Sequence, residues 1–172
     1  MQRKNFHFGR AQYVKYPAIY SMEAFLLWDN LVSRYDIIHV TQLYLNAIHD
    51  VDFKLIMKKG LMAILEKQVN ILEQKMDLYH LPLPDRPPKS VKFFLTGNVV
   101  NDEYVYHKLF KGIQNSIDGL VKSVVSFVYN DDLRRLFFEF LQKELEVYDD
   151  LCKYGKLKGW MRNPPLIPAN GG

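Results

Sequence analysis

The sequence predicts an all-α protein, a four-helix bundle made of two antiparallel helix hairpins. Three observations predict it. Apolar residues recur at steps of three and four along four long segments, the spacing of one face of a helix. Two joints between these segments are short, at residues 49–51 and 129–131, and short joints link antiparallel neighbours. Hydrophobic residues make up 48% of the 172, enough to build one core.

Residues 1–20 form an arm without a clean period. Phe6, Phe8, Tyr13, Tyr16 and Tyr20 are interleaved there with Arg3, Lys4, Arg10 and Lys15, and Pro17 blocks an early helix. The bundle is read over 21–155. Ser21 is placed as N-cap of the first helix, with Glu23 favourable in its first turn. That helix runs to about His49 on a stripe of Trp28, Leu31, Tyr35, Ile38, Gln42, Leu45 and His49. Asp50 caps the second, which continues to about Tyr79 along Met57, Leu61, Ile64, Gln68, Ile71, Lys75 and Leu78. The third starts at Asn101 or Asp102 and aligns Tyr106, Phe110, Ile113, Ile117, Leu120, Val124 and Phe127. Asn130 caps the fourth, which carries Phe137, Leu141, Glu144, Tyr148 and Leu151 and ends near Tyr154 and Gly155. A tail, 156–172, holds Pro164, Pro165 and Pro168 and cannot continue the helix.

The stretch HLPLPDRPPKSVKFFLTGN, within a strap over 80–100, sets the connectivity. Helices of this length are about 40 Å long. Roughly twenty residues, partly in polyproline geometry, reach about 60 Å. The third helix can therefore start at the end where the second began and run parallel to it. One such long crossover is the ferritin-like connection. A hinge between two separate hairpins is the competing reading. It would leave a wide apolar stripe of each hairpin in water, and Val91, Phe93, Phe94 and Leu95 suit a segment laid over a groove.

The second half also echoes the first. At a shift of 80 residues Asp52 meets Asp132, Lys54 meets Arg134, Leu61 meets Leu141, Glu66 meets Glu146 and Pro84 meets Pro164. Caps, stripes and proline exits coincide, which suggests an internal duplication and a pseudo-twofold bundle.

Metal chemistry in such a bundle needs Glu on two helices and Glu-x-x-His on the others, because positions three apart converge on one ion. Residues three beyond Glu66, Glu73, Glu139, Glu144 and Glu146 are Val69, Met76, Gln142, Val147 and Asp149, so no histidine is supplied. Asp36-x-x-His39 has the spacing but stands alone, and Glu103 and His107 lie off the apolar line. No metal or other cofactor is expected; iron, manganese or zinc is the alternative. The polar residues nearest the bundle centre are Gln42, Gln68 and Glu144, with His39 beside them. They read either as a hydrogen-bond network that sets helix register or as a site for a small ligand or single ion. His49 reads as a helix-end dipole contact and Cys152 as a packed thiol. Glycine-rich phosphate loops, Gly-x-Ser-x-Gly and Cys-x-x-Cys are missing, so no catalytic residue is proposed.

A net charge of +4 with acidic residues in every helix argues against a phosphate-binding face. The basic, aromatic arm leaves nucleic acid as a third option, with packing on the bundle or on a second copy preferred. One cysteine excludes an internal disulfide, and no run of about 18 apolar residues predicts a membrane span. The N-terminus lacks the apolar stretch of a signal peptide, so a cytoplasmic protein is expected.

The strap, the stretch LRRLFFEFLQKELEVYDDLCKYGKLKGWMRNPPLIP and the two-hairpin layout resemble a family of uncharacterised proteins of endospore-forming bacteria, loosely related to spore coat protein F. In that family the fourth helix ends in a Leu/Tyr-rich turn, a glycine and an Arg-Pro-Pro-like exit. Arg162, Pro164 and Pro165 match it, with Asn163 inserted. The resemblance covers most of 25–168 and implies a ferritin-like fold and a structural or assembly role tied to sporulation, with a spore-associated location beside the cytoplasmic one. Many members are tandem copies, whereas this chain is a single unit. The functional expectation is a non-enzymatic protein acting through protein partners or self-association. The alternative is a ferritin-like metal- or small-ligand-binding protein with oxidoreductase activity among its options.

Overall fold

The computed structural model describes residues 18–88, 100–165 and 167. Four helical rods carry the described core. The first is α1 (Ser21–Ala47); the second joins α2 (Val51–Leu55), a π-helical segment Ile56–Met62 and α3 (Ala63–Leu78) end to end; the third is α4 (Asp102–Ser126) and the fourth α5 (Asp131–Lys158). The arm up to residue 17, the crossover residues 89–99 with Val91, Phe93, Phe94 and Leu95, and Pro168 lie outside the described residues.

Two apolar clusters fix how the rods run. One gathers Ala47 and Ile48 from the end of α1, Phe53 and Met57 from the start of the second rod, Val105 and Leu109 from the start of α4, and Leu151 and Tyr154 from the end of α5. The other gathers Leu27 and Leu31, Leu72 and Met76, Leu120 and Phe127, and Leu133 and Phe137 from the opposite ends. The second and third rods therefore begin together and run parallel, with the first and fourth antiparallel to both. The described ends of the crossover lie at opposite ends of the bundle: Leu81 packs on one cluster and Val100 on the other. Its described part is tied down, since Arg86 pairs with Glu73, which also accepts from Tyr35 Oη at 2.5 Å.

Each short turn is held by the start of the opposite hairpin. Asp102 accepts from the backbone N–H of His49 and Asp50 at 2.7 and 2.9 Å. Glu23 accepts from the N–H of Tyr129 and Asn130 at 3.2 and 3.0 Å. Asp50 caps α2 by accepting from Phe53 N at 2.9 Å, and Asn130 caps α5 by accepting from Leu133 N at 3.0 Å. The second and fourth rods also stop alike. His80 (φ 52°) and Gly159 (φ 71°) take the left-handed conformation, and the next residues, Leu81 and Trp160, donate back to Met76 O and Gly155 O, each at 2.9 Å.

Several expected details differ. Tyr20, not Ser21, is the N-cap of α1, and it makes no side-chain cap; Glu23 turns inward to the far turn instead. α5 runs past Gly155 to Lys158. Gly155 is helical, and a side chain is excluded there because the Tyr106 ring fills the space it would take: a Cβ would lie 1.9 Å from Tyr106 Oη. The second rod buries Leu65, Leu72 and Met76 where the even helical period places Ile64, Ile71 and Lys75. At these three positions the offset is one residue, and it stems from the π segment, whose wider turn takes up one extra residue and rotates the helix beyond it. On α1, Trp28 is 39% exposed because the buried face is rotated toward Glu23, Asn30, Arg34 and Thr41; α1 ends at Ala47, so His49 falls in the turn, its side chain 84% exposed.

Candidate functional site

The centre of the bundle is polar. α1 turns a line of polar side chains inward, and those nearest the middle are Arg34, 2% exposed, and Thr41, fully buried. Arg34 Nε donates to Gln68 Oε1 on α3 at 2.7 Å, and Arg34 Nη2 lies 2.8 Å from Glu144 Oε1 on α5. Three rods thus meet at one guanidinium. Burial pushes the Arg34 guanidinium down from its ordinary value, and the Glu144 carboxylate opposes that shift. One turn closer to the start of α1, Asn30 donates to Ser123 Oγ on α4 at 2.9 Å.

Not every buried polar atom is satisfied by this arrangement. Among the described residues Glu144 Oε2, Thr41 Oγ1 and Ser116 Oγ are buried without a hydrogen-bond partner, as is Gln68 Nε2. The first three belong to residues lining one pocket of about 170 Å³. It lies between α1 and α4, walled by Ile37, Val40, Leu61, Leu65, Leu109 and Ile113, with Gly112 and Lys108 also contributing. Gln68 lines a separate, more open groove of about 530 Å³ between α3 and α5, beside Ile71, Phe140 and Lys143.

Of the four polar residues singled out from sequence, Gln68 and Glu144 come together, through Arg34. Gln42 and His39 are only half-buried on α1. His39 stands five residues beyond Arg34, about 140° round the helix axis. Arg34 itself is not legible in the sequence as a site residue. Its signal is phase: it falls in step with Glu23, Leu27, Asn30, Leu31 and Thr41, so a stripe drawn through apolar residues alone lies off the buried face. Asp36 is exposed, and His107 lies 3.6 Å from Glu103 near the start of α4. Among the described residues no three of His, Cys, Asp and Glu gather as a metal would require. Cys152 is half-buried on α5.

A second polar group closes the end of the bundle. Asp50 receives Tyr154 Oη at 2.9 Å and Lys158 Nζ at 2.6 Å in addition to the α2 cap. The Lys158 bond first, then the Phe53 N–H, hold the Asp50 carboxyl down at about 2. Burial and the bond to Asp50 push the Tyr154 phenol up to about 12.

A family model described as a protein of unknown function, DUF3231, matches residues 10–171. No curated protein matches the sequence. Among solved structures, a putative spore coat protein from Bacillus halodurans C-125 superposes with a TM-score of 0.79 at 19% identity, over 86% of this chain and 94% of that one. A conserved hypothetical protein from Mycobacterium tuberculosis superposes with a TM-score of 0.64 at 10% identity, over 80% of this chain and 99% of that one. At these identities the likeness is one of fold. No helix among the described residues is long and apolar enough to cross a membrane.

Proposed function

The chain belongs to the DUF3231 family of proteins of unknown function, and from its surface and its fold we propose a non-enzymatic structural or assembly protein that acts by protein–protein association in the spore coat. The observation that carries this reading is the end of the bundle where α1 begins and α4 hands over to α5. Tyr20, Phe25, Val125, Val128, Tyr129 and Phe138 are all more than half exposed there. The Tyr20 and Tyr129 rings already lie against one another, tilted by 40° with their centres 4.6 Å apart. Large side chains concentrated at one end favour association, whereas single exposed ones carry no such meaning. The fold likeness to a putative spore coat protein supports the setting, as does the resemblance of the proline-rich exits to the coat protein F group. A second copy of the chain is the partner this reading names first.

Sedimentation velocity across a hundredfold concentration range tests the association. The full chain is expected to assemble, and a Phe25→Ser/Val128→Ser/Tyr129→Ser variant to stay monomeric with an unchanged helical circular dichroism spectrum. A wild-type chain that is monomeric throughout, or a variant that assembles equally, overturns the reading. Fractionation of a tagged chain from sporulating cells tests the setting, with recovery in the coat fraction expected.

The metal- and ligand-binding alternative retains one favourable observation, the unpartnered Glu144 oxygen. Its metal form has Glu144 beside Gln68, with His39 turned away. Elemental analysis of the purified protein tests that form directly: stoichiometric iron, manganese or zinc, lost in Glu144→Ala, would establish it.

A further inference from the structure

We infer that the pocket between α1 and α4 is a binding site for a small neutral molecule, mostly apolar, whose hydroxyl group is bound at Glu144. Three features carry this. The walls are mostly aliphatic, from Ile37, Val40, Leu61, Leu65 and Ile113, with Tyr44 beside them. The volume, about 170 Å³, is that of a cavity which holds benzene, about 150 Å³. At its polar side stand three buried oxygens without partners: Glu144 Oε2, Thr41 Oγ1 and Ser116 Oγ. Buried polar atoms are otherwise nearly always paired, and leaving one bare is costly.

The chemistry of those atoms selects the ligand. A carboxylate oxygen only accepts, so the ligand must donate to Glu144; a hydroxyl of Thr41 or Ser116 can donate in return. One alcohol or phenol group meets both demands at once. Charge narrows the choice further. The Glu144 charge is already balanced by Arg34 at 2.8 Å, so a cation would leave a net buried charge and an anion would face the carboxylate. A neutral hydroxyl compound keeps the pair intact. Local backbone makes the room: Gly112 carries no side chain at the pocket wall, and a Cβ there would touch nothing within 4 Å. The π-helical segment supplies Leu61 and, by rotating the start of α3, Leu65.

The test uses the full chain with phenol as probe, followed by calorimetric titration and thermal shift. Saturable one-to-one binding that raises the melting temperature is expected. Toluene has the same shape with a methyl in place of the hydroxyl and leaves water more readily, so a purely greasy pocket would prefer it. A hydrogen-bonding site reverses that order, with toluene at least threefold weaker than phenol. Thr41→Val, which keeps the shape and removes one hydroxyl, is expected to weaken phenol binding without changing toluene binding. Gly112→Leu fills the pocket from an open position and is expected to abolish binding of both while the chain still melts cooperatively. No saturable phenol binding, toluene binding tighter than phenol, or a Gly112→Leu chain that binds as wild type each overturns the inference.

Discussion

At Arg34 one side chain sets the character of the whole interior. A guanidinium with 2% of its surface exposed is tolerated only because Gln68 and Glu144 reach it from two other rods. Removing one partner of such a pair strands the other charge, which costs about 3–5 kcal/mol. Arg34→Met is therefore expected to lower unfolding stability in urea by that amount, while Arg34→Met/Glu144→Leu recovers most of it. If the double variant is no more stable than the single, the pair is not the cause. Asp50 gives a prediction in pH. Its folded value of about 2 lies below its ordinary 3.8, so its contribution is present above about pH 4 and fades as the pH falls toward 2. Asp50→Asn keeps a capping oxygen but loses the ion pair to Lys158. Its melting temperature should fall below wild type at pH 7, with the gap closing between pH 4 and 2. A gap that stays constant over that range would rule out the ion pair as its source.

At the scale of the element, the second rod shows how local geometry can overrule an even period. Met57 and Leu61 lie within the π segment and are buried where the period places them; Leu65, Leu72 and Met76 lie beyond its end, each one residue later than the period predicts. Gln68 escapes the shift because the buried face is wide enough to hold both Gln68 and Val69. The segment holds one residue more than an α-helix spanning the same rise, and Gly60 sits in it with open space where a Cβ would stand. Deleting Gly60 is expected to turn the segment into ordinary α-helix and keep the α3 face inward, with cooperative melting retained. Deleting Asn70 instead should turn the rest of α3 by about 100° and abolish that transition. Circular dichroism melts separate the two, and equal damage from both would show that the π segment is not a one-residue insertion. The caps are more legible than the stripes. Asp50 and Asn130 cap where the sequence predicts and Asn101 caps the third helix at the start read for it, because a side-chain oxygen bonding an N–H three residues on is a purely local event; Ser21, read as a cap, is instead the first residue of α1.

The whole molecule is held together across hairpins. Each apolar cluster draws on all four rods, and each short turn is bonded by the start of the opposite hairpin, through Asp102 on one side and Glu23 on the other. Neither hairpin alone has a closed core. A chain ending at residue 88 is accordingly expected to lack a cooperative thermal transition and to bind a hydrophobic dye, and adding the remaining half as a separate chain is expected to restore the transition. A hairpin that melts cooperatively by itself would refute this interdependence.

From its sequence alone this protein determined its four helical rods, the caps at Asp50 and Asn130, its parallel second and third rods and the inward placing of Gln68 and Glu144. Periodicity, capping chemistry and the reach of the crossover are properties of short stretches or of chain length, and need no knowledge of neighbours. Tertiary structure decided the rest: that Arg34 is the hub, that Gly155 lies within a helix under Tyr106, that Glu23 serves a distant turn, and that a pocket opens at Glu144. Each of those depends on what stands opposite a side chain across the bundle. A charged residue reads as surface until the partner that neutralises it, one or two rods away, is in place.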